Sequence, residues 1–115
     1  MSTSLVPEID RDALRARLGH GEGFKLVMAG HDFAFRAKHI PGSLHFGTDG
    51  EAFANLGKDE DIVVYCSNVD CNASLLLIKK LREHGYRRLT HYRGGLIDWE
   101  DGGLPLEGDW AKGAG

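Results

Sequence analysis

The chain has 115 residues, 42% apolar and 27% charged, with a net charge of −3. Those values describe one soluble globular domain, residues 1–115, large enough to fold without disulfide staples. Acids and bases are interspersed with no basic stripe, which argues against nucleic acid as a partner, and no apolar run approaches the ~20 residues of a membrane span.

Residues 1–8 read as a lead-in without the basic start or long apolar core of a secretory signal. Two cysteines in such a chain read as reduced thiols of a cytoplasmic protein. Asp10 as N-cap, Leu14 and Leu18 four apart, and Gly19 as a stop predict a helix over residues 9–18. Phe24 to Ala29 predicts a buried strand, ended by Gly30. Asp32 is positioned to cap a short helix through Lys38. His39-Ile40-Pro41-Gly42 must stop that helix, because proline disfavours a helical residue before it. Ser43 to Phe46 is a short extended piece, and a turn at 47–50 leads into a short helix over 51–56.

After the charged loop Lys58-Asp59-Glu60-Asp61, the run Ile62-Val63-Val64-Tyr65 predicts a strand that ends on Cys66. A helix over 73–84 follows, with Lys79, Lys80, Arg82 and His84 in its last turns, where cations suit the dipole, and Gly85 as its stop. Residues 87–92 predict a further strand, Gly94-Gly95 opens a helix over 96–101 around a core Trp99, and Gly102-Gly103-Leu104-Pro105 closes it. The core spans about residues 9–105. Residues 106–115 read as a tail, on which Trp110 is placed to dock back. Strands and helices alternate, the order of an α/β fold with a small parallel sheet covered by helices on both faces.

Cys66 stands at the carboxyl end of a strand, the edge where open α/β sheets carry chemistry. The loop Ser67, Asn68, Val69, Asp70, Cys71, Asn72, Ala73 can turn successive amides toward an anion, and a helix N-terminus behind it favours a thiolate. The competing reading is a buried structural cysteine, since free cysteine packs as a small hydrophobe. Cys71 has three readings: a resolving thiol that forms a disulfide with Cys66, a second sulfur acceptor, or a packed loop residue. Asp70 opposes a thiolate if it points at Cys66 and is otherwise a solvent-facing turn residue. Asn72 is placed to cap the following helix. No metal or other cofactor is expected, because two cysteines need two more ligands and no histidine pair has suitable spacing.

Lys38-His39-Ile40-Pro41-Gly42-Ser43 resembles the Gly-His-Ile-Pro-Gly-Ala signature of rhodanese-like domains. Val63-Val64-Tyr65-Cys66 resembles their active-site strand, and Ser74, Leu81 and Gly85-Tyr86 match the helix behind it. Gly94-Gly95, Trp99 and Gly103-Leu104-Pro105 resemble their closing pattern, in the same order. The resemblance implies an α/β, rhodanese-like fold with a parallel sheet of about five strands. It also implies sulfur transfer, in which the Cys66 thiolate accepts a sulfane sulfur, becomes a persulfide and passes the sulfur on. The family layout places Arg36, Lys38, His39 and Arg93 at the border of the pocket, although each also reads as a solvated surface residue. His39 has a further role open to it, holding the turn at Ile40-Pro41-Gly42. Two departures stand out. The family's Cys-x-x-Gly-x-Arg-Ser loop is two residues longer here, with Ala73 where the arginine stands and no lysine or arginine between Ile62 and Ser74. Met28-Ala29-Gly30 replaces its Asp-Val-Arg.

The first expectation is a single-domain sulfurtransferase acting on thiosulfate or a persulfide through Cys66, with a thiol or cyanide as acceptor. A sulfur-accepting protein is a further candidate partner. The loop without a cation favours a persulfide over the thiosulfate dianion. A non-catalytic rhodanese-like binding or regulatory module is the alternative. A cysteine phosphatase or arsenate reductase ranks last, because phosphoryl transfer needs a cation for the equatorial oxygens.

Overall fold

A computed structural model describes residues 6–20, 23–67 and 72–109. In chain order these form α1 (Arg11–Gly19), β1 (Lys25–Met28), α2 (Asp32–Ala37), α3 (Asp49–Asn55), β2 (Ile62–Tyr65), α4 (Ala73–Glu83), β3 (Leu89–Tyr92) and α5 (Gly95–Asp101). The strands lie in the order β1-β2-β3, all parallel, so each needs a helical crossover. Met28, Tyr65 and Tyr92 stand in register and define a common carboxyl edge.

Five strands were expected, and three are formed among the described residues. The two outer positions are single parallel bridges, Leu44 beside Val27 and Glu8 beside His91. Met28 N donates to Leu44 O at 2.9 Å and Leu44 N to Leu26 O at 2.8 Å, which satisfies the β1 edge. His91 N donates to Pro7 O at 2.8 Å and Ile9 N to His91 O at 3.1 Å at the other edge. Pro7 and the turn at Pro41-Gly42 keep both segments too short to extend the ladder.

The central strand β2 is buried throughout, as its unbroken apolar run requires in a sheet covered on both sides. Ile62 and Val64 face a core completed by Ala52 and Leu56 of the α3 region and Ile78 and Leu81 of α4. Val63 and Tyr65 face the other core, with Leu14 of α1, Ile40, and Leu96 and Trp99 of α5. Two-residue periodicity therefore puts Cys66 on the α4 side of the sheet.

Local chemistry sets the helix ends. Asp10 accepts from Ala13 N at 2.8 Å, as a capping aspartate should. Asp32 does not cap α2: His31 holds the N-cap position, and Asp32 lies inside the first turn, paired with Arg36 at 3.1 Å. Asn72 precedes α4 in an αR conformation and makes no side-chain cap. At the far end of α4, Gly85 takes φ +92°, with Gly85 N donating to Arg82 O and Tyr86 N to Leu81 O, a Schellman closure. Part of the expected tail is tied down, since His39 and Glu107 exchange backbone hydrogen bonds at 2.8 and 2.9 Å and Asp109 N donates to Arg36 O. Trp110 lies outside the described residues. No helix among those described is long and apolar enough to cross a membrane.

Candidate active site

Cys66 follows β2 directly, and its backbone is fixed from two sides. Ala29 N donates to Tyr65 O at 2.8 Å, while Leu96 N and Ile97 N donate to the carbonyls of Cys66 and Ser67 at 2.8 and 2.9 Å. The first amides of α5 thus satisfy both carbonyls, and Gly95, just before the two donors, takes φ +71°.

The Cys66 side chain is 2% exposed and disulfide-bonded. The chain's other cysteine, Cys71, lies outside the described residues with Asn68, Val69 and Asp70. A Cβ added to Gly30 would stand 3.8 Å from Cys66 Sγ, so the end of β1 closes over the sulfur with bare backbone. Gly30 and Ser67 line a cavity of about 410 Å³ at this edge, and Ala73 contributes from the first turn of α4. Ala34, Phe46, Leu76 and Leu77 make its walls apolar. Lys80 and Asp49 also line it and pair with each other at 2.7 Å.

Behind the cavity, Ser74 Oγ lies 2.9 Å from His91 Nε2, both side chains buried. Burial pushes the His91 imidazole below its usual pKa; Glu8 opposes that shift and Arg93 adds to it. On the opposite side of β2, the Tyr65 hydroxyl accepts from Ile40 N at 3.0 Å and shares a 2.7 Å hydrogen bond with Ser43 Oγ. Burial raises the Tyr65 phenol to about 12. The Ile40-Pro41-Gly42-Ser43 turn is thereby locked to the strand residue before Cys66.

The cations expected at the pocket border lie elsewhere. Arg36 is exposed and paired with Asp32, and Lys38 pairs with Glu100 at 2.7 Å. His39 stacks on Phe35, places Nδ1 2.8 Å from Phe35 O and reaches Glu107 at 3.5 Å, so it joins α2 to the C-terminal segment. Arg93 lines a different hollow, beside Glu8, Tyr92 and Asp98. Lys80 and His31 are the basic side chains on the cavity beside Cys66. The signal for Lys80 was present, since Ala73, Leu76, Leu77 and Lys80 recur at helical spacing. Its place near the helix end favoured the dipole reading instead. Among the described residues, no group of three or more His, Cys, Asp or Glu side chains is placed to hold a metal ion.

The sequence model of the rhodanese-like domain family matches residues 10–101. This chain belongs to that family. The rhodanese-like chain is 31% identical over 104 residues to a sulfurtransferase of Allochromatium vinosum, covering 89% of this chain and 95% of the relative. It is also 29% identical over 101 residues to an HTH-type transcriptional regulator of Mycobacterium tuberculosis, covering 86% of this chain and 44% of that protein. The crystal structure of the BH2092 protein from Bacillus halodurans superposes with a TM-score of 0.82 at 24% identity, covering 93% of this chain and 80% of that one. That last likeness speaks for the fold alone.

Proposed function

We propose that this rhodanese-like chain is a sulfurtransferase that carries sulfane sulfur on Cys66. The observation that carries the reading is the position of the Cys66 sulfur, at the carboxyl edge of the central strand and beside the backbone of Gly30, which lines the cavity. Likeness to a full-length sulfurtransferase supports it. So does the start of α4, which has no side-chain cap and no acid in its first turn, leaving the positive end of an 11-residue helix to favour a thiolate.

An external thiol acts first: two equivalents reduce the disulfide at Cys66, release both protein thiols and leave as their own disulfide. The Cys66 thiolate then attacks the outer sulfur of a donor R–S–SH. A new S–S bond forms on Cys66, the donor's S–S bond breaks, and its electron pair leaves on RS⁻. Cyanide or a thiolate attacks the outer sulfur of the Cys66 persulfide and regenerates the thiolate; with cyanide the products are thiocyanate and a proton. The need for reduced cysteines suits a reducing compartment such as the cytoplasm. A sulfur donor and a thiol or protein acceptor are the partners this chemistry requires.

The test is cyanide-dependent thiocyanate release by the reduced protein, beside intact mass after treatment with thiosulfate or glutathione persulfide. One added sulfur atom in the wild type, absent in Cys66→Ser, is the expected result. If no donor adds sulfur, the binding-module reading takes over, which the likeness to part of an HTH-type transcriptional regulator also supports.

A further inference from the structure

We propose that the donor at this site is an organic persulfide with an apolar body, and that Asp49 sets this choice by neutralising Lys80. The proposal rests on sulfur transfer at Cys66 and names the substrate class of that site.

Two observations carry it. The first is the lining. A cavity of about 410 Å³ lies in the range of small-molecule sites, and its walls are Ala34, Phe46, Ala73, Leu76 and Leu77. Leu76 is 57% exposed, so apolar area remains there for a ligand to cover. An alkyl or aryl group gains there; a small dianion does not.

The second is the charge. Thiosulfate, a dianion, gains more than a monoanionic donor from an uncompensated cation in place of its hydration. The loop between Ile62 and Ser74 contains no lysine or arginine. Lys80 on the cavity wall has its ammonium 2.7 Å from Asp49 Oδ2, which leaves the pair near neutral. A persulfide R–S–SH brings one ionisable sulfur and leaves as the monoanion RS⁻, which the α4 N-terminus can accept beside a wall whose lysine is already paired. The pair bridges α3 and α4 across the cavity, so it acts on specificity without taking part in the bond changes.

The experiment follows sulfur loading onto the reduced protein by intact mass, with Cys71→Ser used so that the label reports on Cys66. Thiosulfate and benzyl persulfide are the probes. The wild-type cavity should load from benzyl persulfide about tenfold faster than from thiosulfate or more, the value of burying part of an aryl group. Asp49→Asn should raise the thiosulfate to benzyl persulfide rate ratio about fivefold, the scale of one freed, solvent-screened charge facing a dianion. Leu76→Ser should slow benzyl persulfide about fivefold while thiosulfate changes less. Thiosulfate loading as fast as benzyl persulfide, or a ratio unmoved by both substitutions, overturns the donor assignment and leaves sulfur transfer standing. Loading by neither probe, nor by glutathione persulfide, overturns both.

Discussion

Ser74 Oγ and His91 Nε2 meet at 2.9 Å, which ties the first turn of α4 to β3. Both side chains are sealed from solvent, at 1% and 6% exposure, so the pair positions α4 and has no access to a substrate. His91 also holds residues 7–9 through its backbone, which makes it the meeting point of the helix start, β3 and the N-terminal segment. Ser74→Ala leaves a buried ring nitrogen without this partner and should cost about 1–3 kcal/mol in chemical denaturation.

The same histidine predicts a pH dependence. Its folded pKa lies below the 6.5 of the free side chain, chiefly through burial, so the unfolded chain binds more protons as the solution becomes acidic. The stability contribution is complete above about pH 6.5 and is lost as pH falls through the folded pKa. Thermal unfolding between pH 7 and 5 should show this slope. It should flatten in His91→Gln, which keeps a polar group for Ser74.

Tyr65→Phe should cost about 1–3 kcal/mol, because Ile40 N loses its acceptor inside the core. The Tyr65 phenol, raised to about 12 by burial, stays neutral in the fold while the unfolded chain ionises near pH 10. Its contribution is therefore present below about pH 10 and lost as pH rises toward the folded value. Difference absorbance at alkaline pH should show one tyrosine fewer ionising together with the unfolding transition in Tyr65→Phe.

Gly30→Ala should act twice. At φ +113° a side chain is strained by about 1–3 kcal/mol, and its Cβ would stand in van der Waals contact with Cys66 Sγ. Lower stability and slower alkylation of reduced Cys66 are expected together. Alkylation at the wild-type rate would show that Gly30 does not stand over the sulfur's approach path.

Cys66 itself should resist iodoacetamide until a reductant opens its disulfide. Once reduced, its alkylation should reach half its maximal rate at a pH below the ~8.5 of an ordinary thiol, as expected beside the α4 N-terminus. A midpoint at or above that value would remove the helix from the account of reactivity.

Several features were legible from sequence because they are decided within a few residues. The strand Ile62–Tyr65 follows from an unbroken apolar run, α1 from the Asp10 cap, and the end of α4 from Gly85. The family was legible because its glycine, proline and tryptophan signals keep their order along the chain. Asp32 and Asn72 misled as caps because cap geometry depends on the backbone dihedrals that each residue adopts, which composition does not reveal.

What only the tertiary structure decided depends on residues far apart in the chain. Lys80 meets Asp49 across 31 positions and His91 meets Ser74 across 17, and neither partner is marked by local pattern. Arg36 pairs with Asp32 and His39 meets the Phe35 carbonyl, both on α2, while Arg93 lines another hollow. The sequence by itself determined a cysteine at the carboxyl edge of a strand in a parallel α/β sheet, since both follow from short-range apolar pattern and the order of elements. The fold decided that the cavity beside that cysteine is apolar and charge-paired, because its walls come from four separate segments brought together at one edge of the sheet.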